Sequence, residues 1–217
     1  MYYNNLNMVF ADRKDAGEQL AEKLLSENIT LENSILLALP RGGIPVAVEI
    51  HKMLKIPYDI LISRKLGSPG NPEFGFGAIS ENNTIYLNRE SIFEYGITEK
   101  YINDIVNKEK NEMQRRIDLY RKGKQLTDLN GKIAILVDDG IATGVTTKAA
   151  IQAANSLGAK EVWICTPVCP KDTYLKLQKD CTKIISLLIP EYLFAIGEYY
   201  KKFDQLSDDV IINILNT

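Results

Sequence analysis

A chain of 217 residues, 45% apolar and 25% charged, can build one large α/β domain with a full core, or one domain with an appended piece. A formal net charge of −2 and a pI near 5.6, with no basic arm or stripe, argue against a general nucleic-acid binder while leaving room for local anion sites. Three cysteines without paired spacing, no N-terminal signal pattern and no apolar run near the roughly 20 residues of a membrane span read as a cytoplasmic protein without a membrane partner.

Residues 1–10 lack a period and read as an extended arm that packs through Phe10 and Val9. From Asp12 to Glu27, Ala16, Leu20, Ala21, Leu24 and Leu25 recur at helical spacing. Arg13 and Lys14 in its first turn oppose the helix dipole and leave two readings open, an anion site or a solvated, ion-paired surface. Ser34–Leu39, SILLAL, is the short continuous apolar run of a buried parallel strand, and a helix from Ile44 to Leu54 takes Pro45 near its first turn. Between them, Gly42 and Gly43 allow backbone N–H groups to approach an anion, and Arg41 supplies charge. His51, the sole histidine, faces away from that turn.

Tyr58–Ser63 reads as the next strand. Residues 64–73, RKLGSPGNPE, hold two Pro and two Gly and read as an irregular loop reaching to residue 77. Loops of this length are usually functional or mobile. It is either a lid for an anionic substrate, with Arg64 and Lys65 at its root and Glu73 at its far end, or a solvated surface. Gly77–Ser80 is expected to pair with a short antiparallel edge strand, Thr84–Leu87. From Thr98 to Lys122 a charged helix carries Ile102, Ile105, Val106, Met113, Ile117 and Tyr120 as its stripe, and its alternating charges read as a salt-bridged, solvated face.

The most informative stretch is Ile133–Thr147, IAILVDDGIATGVTT. A buried parallel strand here delivers Asp138 and Asp139 to its carboxyl end, then turns into a helix whose first N–H groups are unpaired. Thr143, Gly144, Val145, Thr146 and Thr147 stand where those N–H groups and hydroxyls can wrap a phosphate at the positive end of the helix dipole. The bland alternative is an ordinary strand-to-helix turn. No Lys follows Gly144, which excludes a Walker loop, and no G-x-G-x-x-G follows a candidate strand. Beyond it come an alanine-rich helix from 144 to 157, strands Glu161–Val168 and Thr182–Leu188, and a helix from Lys171 to Gln178 between them. Cys165 and Cys169, about 13 Å apart if they share a strand, read as buried thiols rather than metal ligands. In the tail, Tyr192, Phe194, Tyr199, Tyr200 and Phe203 either fasten the chain end to the core or line a pocket for a flat ring, and Ser207 starts a helix over 208–215.

The run Ile135–Thr147 resembles the 5-phosphoribosyl 1-diphosphate (PRPP) loop of type I phosphoribosyltransferases. LPRGG at 39–43, RKLG at 64–67, PGNPE at 69–73, VDDGIATG at 137–144 and the G-x-x-Y-x-x-F-x-Q frame from Gly197 to Gln205 look like a bacterial group of that family. The resemblance implies a mainly parallel sheet flanked by helices, with a core over 1–190 and a small C-terminal hood over 191–217. It also implies transfer of 5-phosphoribosyl from PRPP, with Mg2+, to a nitrogen acceptor of nucleobase type in nucleotide salvage, and is compatible with a homodimer. On this reading residues 142–147 hold the 5-phosphate. Asp138 and Asp139 hold the ribose hydroxyls, directly or through hydrated Mg2+. Gly42, Gly43, Arg41, Arg64 and Lys65 face the pyrophosphate, Tyr192 and Phe194 mark the base pocket, and Glu73 is the acid–base candidate. Water or a hood carbonyl near Tyr192–Phe194 is the competing proton acceptor. Ala142 replaces the acid that 6-oxopurine enzymes carry there, which argues against hypoxanthine or guanine. A PRPP sensor and a PRPP-hydrolysing enzyme are the rival functions.

Overall fold

A computed structural model of the chain describes residues 10–27 and 31–216, with the backbone alone for 72–74. Five parallel strands form the central sheet: β1 (Ser34–Ala38), β2 (Tyr58–Ile60), β6 (Ile133–Val137), β7 (Glu161–Val168) and β8 (Lys183–Leu188), in the order β2-β1-β6-β7-β8. The continuous apolar runs are explained by cover on both faces. Leu36, Ala38, Ile135 and Val137 pack towards α1 (Arg13–Ser26) and α2 (Gly43–Leu54). Their sequence neighbours Ile35, Leu37, Ala134 and Leu136 pack towards α5 (Val145–Ser156) and α6 (Lys171–Leu177). Phe10 is fully buried against Tyr200, whereas Val9 lies outside the described residues.

The expectation of an irregular loop over 64–77 is corrected. β3 (Ser63–Ser68) and β4 (Asn71–Ser80) form a hairpin, joined by β5 (Thr84–Leu87) into a second, antiparallel sheet. Gly70, with φ +73, makes the tight turn, and Pro72 is tolerated because the register shifts between the Ser68–Asn71 and Gly67–Gly75 pairs. Pro72 therefore falls in the irregular stretch of the ladder. The expected strand Tyr58–Ser63 is cut short for a different reason. The Ile62 amide leaves the sheet to donate to the Glu81 carboxylate at 2.8 Å, so Ser63 already belongs to β3. A short helix that periodicity did not signal, α3 (Arg89–Glu94), is capped by the Asn88 side chain.

The long helix α4 (Glu99–Arg121) departs from expectation in its charges. Glu109, Arg116 and Arg121 are buried. Glu109, Met113, Arg116 and Tyr120 follow one another at four-, three- and four-residue steps on the same stripe as the apolar positions, so these two charges share the packed face. Arg121 donates to Glu81 at 2.5 Å and to the Ile60 carbonyl at 3.2 Å, tying the end of α4 to both sheets. The tail makes one 3-10 turn at Ile196–Tyr199, a bridge from Tyr200 to Phe10 and a final helix, α7 (Asp208–Leu215), capped by Ser207 and seated by Ile211. No helix among the described residues is long and apolar enough to cross a membrane.

Removing one partner of a buried ion pair leaves an uncompensated charge, so Arg121→Met is expected to cost about 3–5 kcal/mol at pH 7 in denaturant unfolding. Burial raises the Glu81 pKa in the folded state. The carboxyl is therefore protonated more readily folded than unfolded, and the loss should shrink as pH falls towards the unfolded value of about 4.3. Adding Glu81→Gln should recover most of the loss.

Candidate functional site

The carboxyl end of β6 builds the centre of the site. Asp138 and Asp139 follow Val137 directly, and the Asp139 amide donates to Asp138 Oδ1 at 2.9 Å. Asp139 is held on three sides. Arg13 Nε donates to its Oδ2 at 2.7 Å, the Tyr200 hydroxyl donates to its carbonyl at 2.6 Å, and Gly42 lies against its carboxylate so closely that a Cβ there would stand 2.0 Å from Oδ2. A Cβ on Gly43 would meet the Val137 carbonyl at 2.1 Å. The two glycines are thus required by close approach of the turn to the carboxylate-bearing strand end, before any ligand is considered. Burial, and then the charge of Asp139, push Asp138 well above the ordinary carboxylate range. Burial raises Asp139 as well, and Arg13 opposes that rise.

Gly144 caps α5 with φ +72, so the chain from Ile141 turns sharply and presents the first amides of α5, which have no partner within the helix. Thr173 of α6 fixes this turn by donating to the Ala142 carbonyl at 2.7 Å. Ala142 and Thr143 are exposed, Thr146 is half-buried, and the Val145 and Thr147 side chains are buried. The side chain of Val145 packs on Ala78, Ala149 and Tyr86, so a ligand contact there is left to its backbone.

Two cavities flank this centre. One, of about 450 Å3, is lined by the Pro40–Gly42 turn, by Arg13, Arg41, Arg64 and Arg116, and by residues 203–206 of the tail. The peptide joining Pro40 to Arg41 is cis. Arg41 donates to Asp208 at 3.0 Å, to the Leu206 carbonyl at 2.9 Å and to the Tyr120 hydroxyl at 3.3 Å, and the Tyr120 bond in particular holds its pKa above the ordinary value. Arg64 pairs with Glu109 at 2.8 Å. The other cavity, of about 770 Å3, brings Ala142, Thr143 and Val145 together with Tyr192 and Phe194, which are 83% and 90% exposed. The tail aromatics divide between the two open readings: Tyr200 and Phe203 pack with Phe10, whereas Tyr192 and Phe194 rim a cavity.

Lys65 lines a third depression with Arg64 and Glu109, and its aliphatic stem lies against Gly75. The Glu73 side chain lies outside the described residues. His51 Nδ1 bonds the Ile56 carbonyl at 2.8 Å, and Cys165 and Cys169 are buried, with burial driving both thiol pKa values up. Among the described residues no cluster of three or more His, Cys, Asp and Glu side chains could hold a metal ion. Of the four arginines that line the first cavity, Arg13 and Arg116 are the two that sequence reasoning did not place here. For Arg13 the signal was its uncompensated position in a helix first turn. For Arg116 it was a charge on the apolar stripe of α4.

This geometry is that of a phosphoribosyl transferase fold, and the family described as "Phosphoribosyl transferase domain" matches residues 7–202. The chain belongs to that family, in its type I form. A Mycobacterium tuberculosis H37Rv protein named "Putative phosphoribosyl transferase Rv0571c" is 39% identical over 208 residues, which is 96% of this chain and 46% of that protein. The counterpart from strain CDC 1551, "Putative phosphoribosyl transferase MT0597", matches equally. The chain therefore spans about half the length of the curated relatives it matches. In the crystal structure of the protein TT1426 from Thermus thermophilus the same fold recurs, with a TM-score of 0.78 and 32% identity over 95% of this chain and 97% of that one.

Gly42 has an ordinary helical φ of −63, so a substitution there acts through sterics alone. Gly42→Ala is expected to cost about 1–3 kcal/mol in chemical denaturation by driving the Asp139 carboxylate off Arg13. The same change in an Asp139→Ala background should cost clearly less, because the space is then open.

Proposed function

We propose that the chain transfers 5-phosphoribosyl from PRPP to a nitrogen acceptor of nucleobase type, releasing pyrophosphate, with Mg2+ as cofactor. The observation that carries this reading is the adjacency at the end of β6: a carboxylate pair, then an exposed turn into a helix N-terminus, with a guanidinium-lined cavity on one side and an aromatic-rimmed one on the other. A substrate with a phosphate at each end and neutral hydroxyls between them matches that order.

In this reading the amides of residues 143–147 and the Thr143 and Thr146 hydroxyls bind the 5-phosphate. Asp138 takes the ribose hydroxyls together with the part of Asp139 that Arg13 leaves accessible. The Gly42–Gly43 turn, Arg41 and Arg64 face the diphosphate, with Lys65 at the neighbouring depression. The acceptor ring lies by Tyr192 and Phe194. As the acceptor nitrogen bonds to C1, the C1–O bond breaks, the electron pair leaves with pyrophosphate, and the nitrogen gives up its proton to a base, for which Glu73 is the candidate. The protein's contribution is to hold both anionic ends still and to stabilise charge as it moves to the leaving group.

The donor set suits Mg2+ in the way that ion prefers, with one or two carboxylates, here Asp138 and Asp139, and the rest supplied by water and substrate phosphates. Bound there, the ion would offset the charge of the leaving diphosphate.

Incubating the protein with PRPP, Mg2+ and a panel of nucleobases, with pyrophosphate release as readout, tests the assignment. Base-dependent release is expected. Release without any base points to a hydrolase instead, and tight PRPP binding without turnover points to a sensor. Asp138→Asn with Asp139→Asn should weaken Mg2+-PRPP binding in calorimetry by about 1.5–3 kcal/mol or more, and unchanged affinity would overturn the placement of the ribose.

A further inference from the structure

We propose that Arg116, from the middle of α4, is a diphosphate-binding residue: with Arg13 of α1 it completes the grip on the diphosphate arm of the phosphoribosyl donor, and on free inorganic diphosphate. The inference rests on the phosphoribosyltransferase reading above and adds two residues, on two further elements, to the turn that the reading already uses.

Arg116 is a buried charge, and burying a guanidinium carries a penalty of several kcal/mol. Its pairing does not account for that burial. Arg116 Nε donates to Glu112 at 2.8 Å, but the adjacent Arg115 pairs with the same carboxylate at 2.7 and 2.9 Å while its side chain is 47% exposed, against 9% for Arg116. An i,i+4 ion pair can form at the surface. What distinguishes Arg116 is that its side chain, inside the apolar stripe, forms part of the wall of the 450 Å3 cavity.

That wall is strongly one-sided. Arg13, Arg41, Arg64 and Arg116 reach it from four separate elements, and Asp204 is the acid among its lining residues. Each guanidinium is oriented by a carboxylate: Arg13 by Asp139 at 2.7 Å, Arg41 by Asp208 at 3.0 Å, Arg64 by Glu109 at 2.8 Å and Arg116 by Glu112 at 2.8 Å. None of those four carboxylates is among the lining residues. Phe203 further fixes Arg13 by lying under its guanidinium at 3.9 Å, and the Asp204 carbonyl accepts from Arg13 Nη1 at 2.9 Å. Planar forks held in place in this way lose little freedom when they bind phosphoryl oxygens, and several of them suit a ligand with two adjacent phosphoryl groups better than a single phosphate. The position is also right, since Gly42 belongs to the wall and lies against Asp139, so the cavity opens beside the carboxylates rather than beside Thr143.

Calorimetric titration of inorganic diphosphate, PRPP and ribose 5-phosphate into the wild type, Arg116→Met and Arg116→Lys tests the proposal. Methionine keeps the apolar stem without leaving a void, and a thermal melt checks that each variant folds. Arg116→Met should weaken diphosphate and PRPP roughly tenfold or more and leave ribose 5-phosphate, which has no diphosphate, within about twofold of wild type. Arg116→Lys, with charge but no fork, should fall between. Unchanged diphosphate affinity, an equal loss for ribose 5-phosphate, or no diphosphate binding to the wild type would each overturn it. Arg116-dependent diphosphate binding without transfer to any acceptor would retain the site and reject the transferase reading. Turnover of PRPP that is indifferent to Arg116 would do the reverse.

Discussion

The contact on which the site depends is the packing of Gly42 against the Asp139 carboxylate, with Arg13 bonding the same oxygen. It joins α1, the turn before α2 and the end of the central strand, three segments distant in sequence. The tail locks onto the same junction, through the Tyr200 hydroxyl on the Asp139 carbonyl and through Phe203 beneath Arg13. A half-buried carboxylate with one guanidinium partner and a glycine wall has little freedom to move. Rigidity of this kind is what a site needs if its work is to hold a charged substrate rather than to react covalently.

The two adjacent aspartates are not equivalent. Asp139 is engaged by Arg13 and by the tail, whereas Asp138 accepts an amide hydrogen bond from its neighbour and is driven furthest from its ordinary pKa by burial and by that neighbour's charge. The chemistry is also divided in space. Guanidinium groups gather on the Gly42 side, with Phe203 beneath one of them, while the Thr143 side has hydroxyls, backbone amides and the exposed rings of Tyr192 and Phe194. Such a separation orients a polar, extended ligand before any contact is optimised.

Much of this was legible from local pattern. The runs SILLAL and IAILV, each followed by a Gly-containing turn and an amphipathic segment, specify parallel strands feeding helices, and the parallel sheet with its helical cover follows. The acids at 138 and 139 and the turn at 142–147 could be placed because strand-to-helix geometry fixes where they project. The β3–β4 hairpin could not, because its Pro and Gly content is accommodated by a register shift that depends on the partner strand. The early end of β2 depends on Glu81, a side chain 19 residues further on. The ion pair from Arg13 to Asp139 spans 126 residues, and no short-range rule reaches that far.

The most direct measurement of the central claim is an amide-resolved NMR titration with ribose 5-phosphate, which carries the phosphate and the hydroxyls but no leaving group. The expected result is saturable shifts concentrated at the amides of residues 143–147 and at Asp138 and Asp139, with the amides of Gly42 and Gly43 much less affected. Shifts centred on the arginine-lined cavity, or no saturable shift in the 138–147 segment, would contradict the assignment of that segment as the phosphosugar site.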